Sequence, residues 1–231
     1  MNKLLIVFML QILIIISANP SLLKVVEAKE HDDDNNNNDN GDDQDFKEEE
    51  SILICCTWGD KLIDGKLTYS FKGKADSELK EAVRAGIKEW DDKIKPLQFV
   101  EISGTDEQKQ YPDIQLKFIK DGDDIAGQTI TSFNTFGFID NNLITISRGA
   151  YGKAFDRETI EVIAKHEIGH ALGLGHANFD SNLMAIMITE GAETISTCEL
   201  EGVLQANHWK FIDNNNMPPH IPKIDHIICE D

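Results

Sequence analysis

Hydrophobic residues recur along the chain with two periods, and each period predicts one type of secondary structure. Residues 77–94 have the spacing of three and four residues that lines one face of a helix. The apolar positions of this face are Leu79, Val83, Ile87, Trp90 and Ile94. Residues 157–172 predict a second long helix. A Ser-Thr-Cys-Glu capping box predicts a shorter helix over residues 196–209.

Alternating apolar and polar residues predict strands between these helices. The segments with this alternation and with β-branched or aromatic residues are 67–71, 98–102, 113–119, 128–133 and 143–147. Helices and strands are therefore mixed along one stretch of chain. This order predicts the α+β fold class.

The N-terminal segment has the pattern of a signal peptide. A lysine precedes an apolar run over residues 4–16 that a single Gln interrupts. A membrane span needs about 20 apolar residues, so this run has the length of a signal-peptide core. We expect residues 1–28 to be removed after Ala28, with Ala18 as the alternative site and an uncleaved membrane anchor as the competing outcome. Either outcome predicts a secreted or cell-surface protein, and the cleaved form has no membrane span.

Residues 29–50 form an acidic, low-complexity segment. They contain eleven Asp and Glu, two Lys and one large apolar residue, Phe46. Such a segment cannot bury enough apolar surface to offset its ordering entropy, so we predict that it is disordered. Residues 51–231 are long enough for one domain with its own core. The net charge of the chain, −19, argues against nucleic acid as a partner and favours cationic substrates.

Residues 166–176 carry the clearest chemical signal, because they read H-E-x-x-H-x-x-G-x-x-H. On a helix, His166 and His170 leave the same face about one turn apart, and neutral imidazole is a good zinc ligand. Gly173 can end the helix, because glycine adopts the left-handed conformation at low cost. The chain can then fold back and bring His176 to the same metal. Three protein ligands leave one position open for water, as in catalytic zinc sites.

Glu167 follows the first of these histidines, and its position indicates the chemistry of the metal site. Zinc lowers the pKa of a bound water to about 7, and a carboxylate beside the metal can take the proton. We therefore predict that Glu167 is a general base. The alternative is a helix that carries histidines by chance, which requires five fixed residues to coincide.

The same string is the zinc-binding motif of metzincin peptidases, and a downstream methionine extends the resemblance. Met184 lies eight residues after His176, at the spacing of the Met-turn in matrixins, the matrix-metalloproteinase-like family; Met187 is the competing candidate. Weaker similarities to the matrixin catalytic domain extend over most of residues 57–212. The chain therefore resembles a matrixin-type metzincin.

This resemblance implies a metzincin-like catalytic domain, with a mixed twisted sheet, that cleaves protein or peptide substrates. It also implies that residues 186–188 wall the pocket for the substrate side chain after the scissile bond. Two matrixin features are missing. Residues 112–150 contain no histidine, so we expect no structural zinc of the matrixin type. No Pro-Arg-Cys-Gly string occurs, so we expect no latency by a cysteine and little change in activity when residues 29–50 are removed.

Side chains with oxygen atoms in two loops are candidate calcium ligands, and the sequence leaves open whether they bind calcium. The candidate ligands are Asp121, Asp123, Asp124, Asp140 and Asn141. No EF-hand spacing is present, so we favour an ordinary role in turns for these residues.

The chain contains four cysteines, and an even number in an exported protein predicts disulfides. Four cysteines allow three pairings, and a bridge between the neighbours Cys55 and Cys56 would be strained. We therefore expect this pair to reach Cys198 and Cys229, with free thiols as the alternative. The resemblance agrees, because in matrixins the N-terminal segment of the domain packs near the start of the last helix, where Cys198 lies.

The remaining histidines of the domain predict no second metal site. His208, His220 and His226 match no ligand spacing. The sequence as a whole predicts a secreted zinc endopeptidase. The competing hypothesis is a zinc-stabilised extracellular binding module without hydrolytic activity. The missing structural zinc favours that hypothesis, but a purely structural site does not need Glu167.

Overall fold

The computed structural model describes residues 49–102, 111–122, 124–189, 191–213 and 217–229, together with the backbone of residues 10–15. The expected cleavage site at Ala28 and residues 29–48 of the acidic segment lie outside the described residues. The signal peptide and the disorder of the acidic segment therefore stay predictions. In the described part of the chain, no helix is both long enough and apolar enough to cross a membrane.

Most strands precede the second long helix, and the last two helices lie near the C-terminus. The strands are β1 (Leu10–Ile15), β2 (Ser51–Ile54), β3 (Lys66–Lys72), β4 (Gln98–Glu101), β5 (Ile114–Ile119), β6 (Ile125–Phe133), β7 (Ile139–Ser147), β8 (Gly149–Ala150), β9 (Lys153–Ala154), β10 (Leu174–Ala177) and β11 (His226–Ile228). The helices are α1 (Ser77–Lys93), α2 (Arg157–Ala171), α3 (Thr197–Ala206) and α4 (His208–Phe211). The two long helices and the five strands predicted from periodicity are all present.

The main sheet has six strands in the order β1–β6–β7–β5–β3–β4. β3 pairs in parallel with β4 and β5, and β5 pairs in parallel with β7. β6 runs antiparallel to β7 on one side and to β1 on the other. The α+β class with a mixed sheet is therefore confirmed. Because β1 falls within the predicted signal peptide, cleavage after Ala28 would leave β6 as the edge strand.

Helix α1 approaches α2 closely because a glycine faces the partner backbone. A Cβ atom at Gly86 would lie 2.9 Å from the carbonyl oxygen of Glu161. The indole N–H of Trp90 donates to the carbonyl of Lys165 at 2.9 Å, and the ammonium group of Lys165 pairs with Glu89 at 3.0 Å. A buried ion pair with a matched partner avoids the penalty of an isolated charge. These contacts hold α2, which carries His166, Glu167 and His170.

Polar side chains satisfy the free carbonyl groups at the C-terminus of α2. The indole N–H of Trp58 donates to Ala171 O at 2.8 Å, and the side-chain amide of Asn207 donates to Leu172 O at 2.8 Å. Asn207 also accepts from the backbone N–H of Trp58 at 3.1 Å and has φ −115°. The last helix therefore stops at Ala206, earlier than predicted, and the short helix α4 follows.

A second sheet, with the order β10–β2–β11, is absent from the sequence prediction. β2 pairs antiparallel with β10 on one side and with β11 on the other. Its strands have only three or four residues, which is too short for a periodic signal. This sheet places the C-terminal tail beside β2, which separates it from the strand that follows α2.

The predicted disulfide pairing is wrong. Cys55 is bonded to its neighbour Cys56, and Cys198 is bonded to Cys229, with Cα–Cα distances of 3.7 Å and 5.3 Å. The Cys229 N–H donates to the carbonyl of Glu50 at 2.8 Å, and β11 contacts α3. Backbone pairing of the tail therefore brings Cys229 to Cys198, and no local sequence pattern predicts that backbone pairing.

Candidate metal centre and active site

Helix α2 places two histidines side by side. At its N-terminus the Asp156 carboxylate accepts a hydrogen bond from the Thr159 N–H at 2.9 Å, as expected of a capping residue. His166 and His170 are fully buried, and their ring centroids are 4.6 Å apart. The four-residue spacing on one helix face thus brings both rings into contact.

A sharp turn after α2 brings the third histidine to the first two. Gly173 has φ +107°, and a Cβ atom there would lie 2.3 Å from the carbonyl oxygen of Cys56. Only glycine fits this position. The chain then enters β10, where the His176 ring lies 5.6 Å from the His166 ring and 4.9 Å from the His170 ring, measured between centroids.

The three imidazoles have the donor arrangement that a metal ion requires. Their ligand atoms lie within 4.8 Å of one another, and each Nε2 is buried without a hydrogen-bond partner. Nδ1 of His166 lies 2.5 Å from the carbonyl oxygen of Leu183, and Nδ1 of His170 lies 2.9 Å from that of Leu174. A carbonyl only accepts, so each Nδ1 carries the proton and each Nε2 has a free lone pair. Buried polar atoms rarely stay unpaired, so these residues fit a zinc ion.

Burial also keeps these imidazoles neutral. Desolvation holds the pKa of His166 well below its usual value, lowers the pKa of His170 to about 3 and lowers the pKa of His176 to about 4. Repulsion between charged rings adds to the shift at His166 and His170. Zinc binds the neutral form of imidazole, so the three histidines are already in the state that zinc binding requires at neutral pH.

Glu167 lies between the two histidines of α2 and is fully buried against β6. Its Oε2 accepts a hydrogen bond from the Thr129 hydroxyl group at 2.5 Å, whereas its Oε1 has no partner. A Cβ atom at Gly127 would lie 2.2 Å from Oε1, so the glycine makes room for the carboxyl group. Burial raises the pKa of Glu167 to about 8, and the Thr129 bond opposes the rise. No sequence pattern marks Gly127 or Thr129.

Met184 packs against the helix face between the two histidines of α2. It is fully buried, and a Cβ atom at Gly169 would lie 2.5 Å from its Sδ. The competing residue, Met187, is only half-buried. This position suits the Met-turn that the resemblance implies, and the role itself stays a prediction.

Helix α3 supplies a support for His166 that sequence reasoning missed. Glu199 closes the predicted capping box with Ser196, and its other oxygen accepts from the Leu183 N–H at 3.1 Å. The Leu183 carbonyl is the group that orients the His166 ring. Outer-sphere contacts of this kind orient metal ligands and tune their affinity. The capping box indicated only the local role of Glu199.

The calcium candidates take part in ordinary loop contacts. Asp121 accepts from a backbone N–H at 2.7 Å, and Asp140 pairs with Lys61 at 3.1 Å. Asp123 lies outside the described residues. Among the side chains that are described, the clusters of His, Cys, Asp or Glu able to hold a metal do not include Asp121, Asp124 or Asp140. Calcium therefore has no support in this part of the chain.

The chain is similar to known zinc peptidases over the segment that holds this site. The family model of the matrixins, peptidase family M10, matches residues 140–205. This segment contains the three histidines, Glu167 and Met184, so the predicted matrixin resemblance is confirmed there. The match supports a zinc metalloprotease.

Two solved structures are also similar to the chain. Myroilysin has 11% sequence identity and a TM-score of 0.44, over 67% of this chain and 96% of its own. Archaemetzincin from Methanopyrus kandleri has 17% identity and a TM-score of 0.34, over 61% of this chain and 86% of its own. No curated protein sequence matches the chain significantly.

Proposed function

We propose that this protein is a secreted zinc endopeptidase in which His166, His170 and His176 hold the metal and Glu167 acts as general base. The observation that carries the proposal is a set of four buried atoms without partners: the three Nε2 atoms and Oε1 of Glu167. Three clustered histidines with partner-free Nε2 atoms indicate a cation, and a partner-free carboxyl oxygen on the same helix indicates a proton donor such as water. Secretion is supported by the apolar run near the N-terminus.

The chemistry follows from the positions of these groups. Zinc held by the three imidazoles would polarise the scissile carbonyl and acidify the attacking water. Glu167, whose carboxylate form would be favoured by a zinc ion beside it, takes the proton of that water through Oε1 and passes it to the leaving amine. The Thr129 hydroxyl group holds Oε2, so Oε1 keeps its direction throughout. The burial of Glu167 excludes bulk water, which would otherwise compete for the proton.

The substrate would lie along β6, because this strand carries Gly127 and Thr129, which contact Glu167. After cleavage of the signal peptide, β6 would have a free edge, and an extended peptide can add to a free edge as a further strand. A peptide bound there would run beside the general base. This arrangement predicts an endopeptidase that cleaves unfolded or extended segments.

A pocket beside α2 is our candidate for binding one substrate side chain. It has a volume of about 330 Å³, and its apolar wall includes Val162, Ile163 and Ile188. Ile188 belongs to the segment that the matrixin resemblance assigns to this role. Glu158 and Glu193 also line the pocket. We therefore expect long apolar or basic side chains to be preferred over acidic ones after the scissile bond.

The test compares metal content with peptide cleavage in the full chain. Glu167→Gln should keep its zinc and lose cleavage of an unfolded protein by a factor on the order of 10² or more. Single His→Ala changes at 166, 170 and 176 should each lose the zinc ion of this site and lose cleavage. Full zinc retention by all three His variants would refute the metal assignment, and wild-type turnover by Glu167→Gln would refute the base.

The same experiment separates the peptidase from the zinc-stabilised binding module. A binding module would hold zinc and leave every unfolded protein intact, in the wild type as in Glu167→Gln. The buried, partner-free Oε1 of Glu167 favours the peptidase, because a purely structural site has no use for it.

A further inference from the structure

The C-terminal tail returns to the body of the domain beside α4, and three possible metal ligands meet there. Nδ1 of His208 lies 3.1 Å from Oδ2 of Asp213, and Nε2 of His220 lies 3.6 Å from the same oxygen. One ligand atom from each residue lies within 4.8 Å of the others. None of the three belongs to the zinc-binding motif.

The separations suit a tetrahedral zinc site. Bonds of about 2.0–2.2 Å from zinc to nitrogen and oxygen put neighbouring ligand atoms about 3.3 Å apart. The two measured separations, 3.1 Å and 3.6 Å, lie on either side of this value. Two imidazoles and one carboxylate favour zinc over calcium or magnesium, which prefer oxygen ligands alone.

The backbone holds the cluster together independently of side-chain charge. The Asp213 N–H donates to the carbonyl of His208 at 2.9 Å, so the turn after α4 keeps these two residues adjacent. Nδ1 of His220 lies 3.4 Å from the carbonyl oxygen of Pro218. A proton on that Nδ1 leaves the lone pair of Nε2 pointing at Asp213. Metal-binding histidines are oriented in this way, as His166 is by the Leu183 carbonyl.

The surroundings leave access for an ion and for a fourth ligand. The side chains of His208, Asp213 and His220 are 35%, 30% and 43% exposed. They line a cavity of about 300 Å³ together with Gln205 and Lys223. Water can therefore complete a tetrahedral site with three protein ligands.

We propose that His208, Asp213 and His220 form a second zinc site that fastens the C-terminal tail to the body of the domain. The metal would join the two segments on either side of residues 214–216. Beyond His220, the tail is held by the pairing of β11 with β2 and by the Cys198–Cys229 bridge. The site is independent of the proposed peptidase activity, because its role is to anchor the tail.

The test counts zinc ions per chain in the full-length protein. The chain is stripped of metal with a chelator, loaded with Zn²⁺, freed of excess ion and analysed for metal. We expect two zinc ions per wild-type chain and one in His220→Ala or Asp213→Ala. His226→Ala is the matched control, because His226 is exposed on the same tail and its Nδ1 lies 2.7 Å from Asp225, outside the cluster. This control should keep two.

A second comparison separates the two sites. His166→Ala should lose one zinc ion, and the double variant His166→Ala/His220→Ala should bind none. Limited proteolysis gives an independent readout, since zinc should protect the tail of the wild type and of His226→Ala but not of His220→Ala. One zinc ion per wild-type chain, retained in His220→Ala, would overturn the proposal, because the cluster would then be a set of ion pairs only. Two zinc ions in His220→Ala would also overturn it.

Discussion

Gly127→Ala tests whether β6 positions the proposed general base. The added Cβ atom would lie 2.2 Å from Oε1 of Glu167 and 2.9 Å from its Cδ and Cγ. Ordinary contact begins at about 3.4 Å, so Oε1 must withdraw by roughly 1.2 Å. The carboxyl group is buried and bonded to Thr129, so it cannot withdraw without losing its direction.

The size of the effect follows from this displacement. A misplacement of about 1 Å at a reacting group reduces the rate about 10²-fold. The proposed zinc ligands are untouched, so zinc content should stay at the wild-type value. Overpacking a buried site costs about 1–3 kcal/mol, whereas replacing glycine by alanine within a strand stabilises by roughly 0.5–1 kcal/mol. We therefore expect a net loss of up to about 2.5 kcal/mol in the free energy of unfolding.

The assays are peptide turnover, bound zinc and denaturant unfolding, and Glu167→Ala supplies the matched background. Removing the carboxyl group removes the atoms that the new Cβ meets, so Gly127→Ala should then be neutral or stabilising. A double-mutant cycle measures this coupling. Turnover within twofold of the wild type, or an equal loss of stability in both backgrounds, would refute the assigned contact.

The remaining predictions concern the contact of Glu199 with the metal site, the pH dependence of stability at Glu167, and the disulfide bridge of the C-terminal tail. Glu199→Gln weakens the bond to the Leu183 N–H, so zinc affinity should fall roughly tenfold in a chelator competition, with turnover per bound zinc unchanged; unchanged affinity would contradict the role. The metal-free Glu167→Gln chain should be more stable to urea than the metal-free wild type at pH 8, and equally stable at pH 4. Burial raises the pKa of Glu167 from 4.5 in the unfolded chain to about 8 in the folded chain. The contribution of this group to the free energy of unfolding is therefore complete below the unfolded value of 4.5 and is lost as the pH rises through 8. Equal stability of the two metal-free chains at pH 8 would contradict this reasoning. Cys198→Ser with Cys229→Ser should lower the free energy of unfolding by about 3.5 kcal/mol, because the bridge spans 31 positions; a loss below about 1 kcal/mol would show that the tail is held by other contacts.

The sequence alone was sufficient for features that depend on residues close together in the chain. The predicted helix over 157–172 corresponds to α2, and the turn at Gly173 occurs where the motif placed it. The helical repeat itself makes His166 and His170 neighbours, so no distant residue is needed to predict their contact. Five of the six strands of the main sheet, β3 to β7, were predicted for a similar reason, because a period of two residues reports a half-buried strand.

Only the tertiary structure decided which distant residues meet. Thr129 donates a hydrogen bond to Glu167 across 38 positions of the sequence, and neither residue type predicts the other. The partner of Cys198 is set by β11, which is a three-residue strand in a tail without periodicity. His220 lies near His208 in a tail whose later residues are held by β2 and by the Cys198–Cys229 bridge. Chain spacing encodes local geometry, whereas these contacts arise from the packing of whole elements, so the sequence predicted the histidine motif but not the residues that surround it.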